Sequence, residues 1–230
     1  MSIPFHNTTT DIATLISHWE AQRQAQYATA QIVQKSAFDT LRVAVHDTVA
    51  ADDHSAVNDG EILLQAQLVT FGDKTNEGFL IQAIAIPWIN IIREWEHDPD
   101  FIFRLNARRF EELIAGAYER AGCDHVVLTP QSGDRGRDVI VTATYPGIGE
   151  VRFIDQVKRY ARHHEVNADE VRALLGVLSR DQDISKGIVT TTSRFAPGIY
   201  EELADYIPTR LELKNGNQLR EWLIDLSNIS

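Results

Sequence analysis

Two β-branched runs, RDVIVTATY from Arg137 and EVRFIDQVKRY from Glu150, flank the turn PGIG and constrain this chain more than any other feature. Each has the period of two that a pleated strand requires, and the Pro-Gly turn marks where one strand ends and the next begins. HVVLT, closed by the turn SGDRG, adds a third strand ahead of them, which makes a meander. Before it lies RRFEELIAGAYERAG, where Phe110, Leu113, Ile114, Ala117 and Tyr118 share one helical face and Gly122 supplies a stop. After the meander, Asn167 with Glu170 three residues on is a capping-box start for a helix carrying Val171, Leu174, Leu175 and Leu178. KGIVTTTS reads as a buried strand, APGIYEELADY as a helix from near Pro197, LELKN as a strand and NQLREWLIDL as a helix. The order αβββαβαβα predicts an α/β fold with helices packed on a mixed central sheet.

The first hundred residues read differently. Ile12, Leu15, Ile16 and Trp19, then Ile32, Val33, Phe38 and Leu41, recur at helical spacing between Thr10 and Thr48. Such a helix serves as a sensor or oligomerisation element, or simply packs on its own domain. ADDHSAVNDG and GDKTNEG are turn signals, and EILLQAQLVTF between them suits a strand or a short helix. Pro87 opens the periodic run WINIIREW, and the polar HDPD reads as a linker. The expected organisation is therefore a mainly helical or mixed region over residues 1–100 and a second domain over residues 101–230.

Charge follows the same division. Residues 1–100 hold 5 Lys and Arg against 14 Asp and Glu, whereas residues 101–230 hold 17 against 19. The net charge of −11 thus leaves the C-terminal part able to present a basic face to a phosphate, the more so once a cation offsets its carboxylates. No apolar run approaches the length of a membrane span, and MSIPFHNTTTD lacks the basic and apolar blocks of a signal peptide, so a cytoplasmic location is expected. The single Cys123 excludes an internal disulfide and a thiolate zinc site, and reads as a small core residue.

Alternation along RDVIV points Asp138, Ile140 and Thr142 to one face. Along VRFIDQVKRY it puts Arg152, Ile154, Gln156 and Lys158 on one side and Phe153, Asp155 and Val157 on the other. An acid opening one strand, with an amide and an ammonium on the next, is costly to place in mid-sheet unless a cation and a substrate engage it.

These residues belong to a larger pattern. Phe110-Glu111 on a helix, Ser132-Gly133-Asp134-Arg135-Gly136-Arg137-Asp138 leading into a strand, Gln156-Val157-Lys158-Arg159-Tyr160 on the next, and a later run from Gly187 to Phe195 occur in that order. Over about residues 105 to 222 the chain resembles the Mrr-like branch of the PD-(D/E)xK nuclease superfamily. The resemblance implies a restriction-endonuclease-like core and an endonuclease that hydrolyses DNA phosphodiester bonds, in restriction or in defence against foreign or modified DNA. It implies Mg²⁺, with Mn²⁺ as a substitute, held by Asp138, by the side-chain oxygen of Gln156 and by the main-chain carbonyl of Val157. Glu111 would be a ligand through water or of a second ion. Lys158 would orient or help deprotonate the attacking water and offset charge on phosphorus. Gln156 departs from the acid of the wider superfamily, although this branch commonly carries Gln there.

Arg135 and Arg137 fill the variable places of the turn. A guanidinium fork suits bidentate pairing with phosphate, so these two, with Arg159 and Tyr160, are the expected nucleic-acid contacts; exposed turn arginines without such a role are the alternative. His163-His164 and the run Thr190 to Ser193 are substrate contacts or ordinary loop and strand-end residues, while Glu112 should lie at the surface or in a salt bridge and Trp222 in the core. A module that binds nucleic acid or protein without cutting is the competing class, as is a nuclease acting on RNA; neither Asp138 nor Lys158 is lost, as a non-cutting module would have it. One chain shows one active site, and cutting both strands of a duplex needs two, so a homodimer or higher homo-oligomer is expected.

Overall fold

In the computed structural model the chain divides into two units, Met1–Ala56 with Ile229–Ser230, and Val57–Asn228. The structure describes residues 59–131, 136–145 and 147–228. The helical periodicity between Thr10 and Thr48 lies outside the described residues, as do Ser132, Asp134 and Arg135 of the turn.

The meander forms as its β-branched alternation dictates. Strands β3 (His125–Leu128), β4 (Val139–Tyr145) and β5 (Gly149–Lys158) pair antiparallel, with Ile140 opposite Ile154 and Val139 opposite Asp155. β7 (Lys186–Thr191) then adds in parallel to β5 and β9 (Leu211–Lys214) in parallel to β7, which requires crossovers. Helix α4 (Ala168–Arg180) provides the first of these and starts at the expected capping box of Asn167 and Glu170. The segment from Pro197 yields only one short turn, α5 (Ile199–Glu202), and α6 (Gly216–Asn228) closes the chain. The remaining strands, β6 (Glu165–Val166) and β8 (Arg194–Phe195), make a separate two-stranded pair.

Residues 59–97 belong to this same body. EILLQAQLVTF is divided between a helix, α1 (Asp59–Gln65), and a strand, β1 (Val69–Lys74). The turn after β1 leads to β2 (Phe79–Ala83), which pairs with both β1 and β3, so the sheet has seven strands in the order β1-β2-β3-β4-β5-β7-β9. FLIQA carries no clear alternation of its own, and only the neighbouring strands show it to be one. Helix α2 (Ala85–His97) and a 3₁₀ turn at Phe101–Arg104 then lay Trp88, Ile91, Ile92, Trp95, Phe101 and Ile102 against Phe110, Leu113 and Ile114 of α3 (Ala107–Arg120). The body therefore starts at Val57 and not near residue 100. Fully burying side chains of this size contributes roughly 1.5–3 kcal/mol each, which holds both flanks of the HDPD segment to one core while the segment itself stays at the surface.

Two helices cross closely here. The Trp88 indole N–H donates to the Leu113 carbonyl at 2.9 Å, and a Cβ at Gly116 would lie 2.9 Å from Trp88 Cδ1. Helices α2, α3 and α6 cover one face of the sheet, over Val139, Val141, Val157 and Ile188. Helix α4 and the α5 turn cover the other, over Ile140, Ile154, Val189, Leu211 and Leu213. No helix among the described residues is long and apolar enough to cross a membrane.

A chain starting at residue 101 leaves Phe110, Leu113 and Ile114 without their α2 partners. It is expected to lose cooperative urea unfolding and near-UV dichroism, whereas one starting at Val57 keeps both; equal cooperativity in the two would show that residues 57–100 are dispensable to the core.

Candidate active site

Asp138 precedes β4, and one step beyond the paired register it falls opposite Gln156 of β5. Directly opposed residues of an antiparallel pair project to the same face, and Lys158 shares that face by alternation. The structure thus brings Asp138, Gln156 and Lys158 together where β4 begins and β5 ends. Asp138 is anchored there: its carboxylate Oδ2 accepts the Val157 N–H at 2.6 Å, and its own N–H donates to the Asp155 carbonyl at 3.2 Å.

Gln156 is buried, and its Oε1 has no hydrogen-bond partner among the described residues. Gly136 lies against the same amide: its φ is +75°, and a Cβ there would be 2.9 Å from Gln156 Nε2. A buried carbonyl oxygen without a donor is costly, and beside a carboxylate it fits the demand of a hard cation for oxygen ligands. No group of three or more His, Cys, Asp or Glu side chains suited to a metal occurs among the described residues.

Glu111 reaches this end of the sheet from α3, whose first turn is set by the Asn106 side chain accepting the Arg109 N–H. Its Oε2 accepts from Arg108 Nη1 at 2.9 Å, and the same nitrogen donates to the Thr129 carbonyl at 2.8 Å. Thr129 in turn donates its N–H to the Asp138 carbonyl at 3.1 Å and its hydroxyl to the Arg137 carbonyl at 2.6 Å. A continuous set of hydrogen bonds therefore links the Glu111 carboxylate to the main chain at Asp138. The pair Arg108 and Glu111 is legible as an i, i+3 contact on a helix, although nothing in the local sequence announces Thr129.

Of the remaining candidates, Arg135 lies outside the described residues, and Arg137, Arg159 and Tyr160 have intramolecular partners. Arg137 lies 3.6 Å from both Glu77 and Asp181, and Glu77 also bonds Arg152. Arg159 Nη1 donates to the Phe103 carbonyl at 3.0 Å. Burial, with the hydrogen bond its hydroxyl donates to Glu170, pushes the Tyr160 pKa up to about 12 and keeps it a neutral phenol. The Tyr160 ring lies 4.1 Å from that of the exposed His164, tilted by 58°. Glu112 does form a salt bridge, at 2.5 Å to Arg109, but it is buried and not at the surface. The Thr190 to Ser193 run is buried, with Thr190 on Asp155, Thr191 on the Lys158 carbonyl and Thr192 on Tyr160.

Asp155 faces away from Lys158, as alternation requires. It is completely buried, and its Oδ2 accepts from Tyr118 at 2.8 Å and from Thr190 at 2.7 Å. Burial raises its pKa from the usual 3.8 to about 6, against the opposing pull of Lys214 and of the bonds from Thr190 and Tyr118. Lys214, itself lowered by burial, lies 3.6 Å over the Trp222 ring.

A mixed sheet with an αβββαβ core, one helix layer on each face and this acid and amide pair at one strand end define a restriction-endonuclease-like fold. The restriction endonuclease model, the Mrr catalytic domain, matches residues 102–223, and the chain belongs to that family. An uncharacterized protein, y4cE, of Sinorhizobium fredii (strain NBRC 101917 / NGR234) is 29% identical over 120 residues, which cover 52% of this chain and 29% of that protein. Among solved structures, the DNA modification-dependent restriction endonuclease AspBHI is similar at 20% identity and a TM-score of 0.44, over 78% of this chain and 41% of that one. The MspJI restriction endonuclease in complex with a 27-mer oligonucleotide is similar at 17% identity and a TM-score of 0.41, over 76% and 36%. The chain thus spans well under half the length of each of these relatives.

The raised Asp155 pKa has a defined sign. Between 3.8 and about 6 the folded state keeps a proton that the unfolded chain has released. The stability contributed by this group is greatest at the acidic end and is lost as pH rises through about 6, by about 3 kcal/mol at most. Urea unfolding between pH 4 and 7 is expected to show this fall in the wild type and a flatter profile in Asp155→Asn; an equal slope in both would refute it.

Proposed function

We propose that this chain is a metal-dependent endonuclease that hydrolyses DNA phosphodiester bonds in restriction of foreign or modified DNA, with Mg²⁺ as the ion and Mn²⁺ as a substitute. The observation that carries the reading is the buried, donorless Gln156 Oε1 opposite Asp138, on the face shared with Lys158. Asp138 and Gln156 would hold the ion, with the Val157 carbonyl and Glu111 as the further candidates. When bound, it supplies a Lewis acid that polarises a phosphoryl oxygen and makes water more acidic.

The chain's own residues do the rest. The Val157 N–H holds the Asp138 carboxylate at the end of β5. Gly136 leaves room for the Gln156 amide, and a side chain there would push that amide away. Lys158 orients the attacking water or receives its proton, and its charge offsets that gathering on the phosphate. Arg135 and Arg137 contact the DNA backbone, Arg137 by exchanging Glu77 and Asp181 for phosphate. Arg159 and Tyr160 we place at the rim of the same track, where their bonds to Phe103 and Glu170 also hold the end of β5. Cutting both strands of a duplex then requires two chains, which makes a homodimer or higher homo-oligomer the working form.

Plasmid cleavage with Mg²⁺ or Mn²⁺, on methylated and unmethylated DNA and on RNA, tests this. Metal-dependent cutting of DNA is expected, with loss of at least 100-fold, on the order of a general acid–base contribution, in Asp138→Ala and in Lys158→Ala. Equal behaviour of wild type and variants would favour a module that binds without cutting, and a monomer by sedimentation both alone and on DNA would favour nicking.

A further inference from the structure

Arg108 joins the helix acid to the end of the sheet. Its Nη1 bridges the Glu111 carboxylate at 2.9 Å and the Thr129 carbonyl at 2.8 Å, and Thr129 grips the main chain at Asp138. The guanidinium is therefore anchored to the end of the sheet that carries the site, not merely to its own helix. Both side chains are largely covered, with 23% of Arg108 and 14% of Glu111 exposed, so solvent screens the pair little. Arginine stays charged under all conditions in which a protein folds. An ion seeking Glu111 would have to displace this charge or approach it closely, and either is unfavourable. Gln156 presents the reverse situation, a buried acceptor oxygen with no donor.

Building on the nuclease reading above, we propose that each chain binds a single divalent ion, at Asp138 and Gln156, and that Arg108 supplies through a fixed side chain the positive charge a second ion would bring to Glu111. Glu111, a further candidate ligand in that reading, is on this proposal a positioning residue for the guanidinium and leaves the ligand set. The device keeps a constant charge beside the substrate phosphate whatever the metal concentration.

The test counts Mn²⁺ ions bound by the full chain without DNA, by calorimetry and by the spin-resonance signal of free Mn²⁺. One ion per wild-type chain is expected, absent in Asp138→Ala and retained in Glu111→Gln. Arg108→Met, which keeps an apolar stem but no charge, should bind two, the second disappearing when Glu111→Gln is added; Arg108→Lys should stay at one. Two ions in the wild type, or one in a folded Arg108→Met, would overturn the proposal. Should Arg108→Met not fold, Glu111→Gln decides: loss of the wild-type ion, or a weakening of tenfold or more, overturns the proposal, and unchanged binding supports it. A wild type that binds no ion would instead overturn the metal reading of the whole site.

Discussion

The register between β4 and β5 is the constraint on which everything else in this molecule rests. Pairing Ile140 with Ile154 and Val139 with Asp155 is what turns Asp138, Gln156 and Lys158 to one side and Val157 to the core. A slip of one residue would send every side chain of β5 to the opposite face. Gln156 and Lys158 would then enter the layer under α3 and Asp155 would leave it. The register is held by apolar residues on both faces and by the Asp138 main chain, so the fold cannot form without assembling the site.

Asp155 shows how tightly the two faces are coupled. It shares its backbone with Gln156, yet its carboxylate belongs to a different world, enclosed by Tyr118, Thr190 and, further off, Lys214. A buried acid is tolerable because two hydroxyls and a cation surround it. Those same groups come from α3, β7 and β9, so one side chain ties the meander to the parallel half of the sheet.

Much of this was legible in the sequence because the strongest signals are local. Alternation gave the faces of β4 and β5, the pair Asn167 and Glu170 gave the start of α4, and the helical stripe of Phe110, Leu113 and Ile114 gave the buried side of α3. FLIQA escaped because a short apolar run has no readable period until its neighbours are known. Reading HDPD as a linker failed for a related reason: polarity suggested a boundary, but Phe101 and Ile102 just beyond it are core residues shared with Trp88. At the site, the acid, amide and lysine could be read from order and spacing. Glu77 could not, because its contact with Arg137 joins positions sixty residues apart through a hairpin whose second strand was not foreseen.

The ammonium of Lys214 over the Trp222 indole, with the Tyr118 ring 5.0 Å from that indole, has an optical consequence. A positive charge held at one side of an indole shifts the energy of its excited state, so the emission colour of Trp222 depends on where that charge sits. Lys214 answers to Asp155, and Asp155 is the neighbour in the chain of Gln156. Trp222, one of the four tryptophans of the chain, is therefore the indole whose emission follows the position of Lys214, on the side of the sheet away from Gln156 and Lys158.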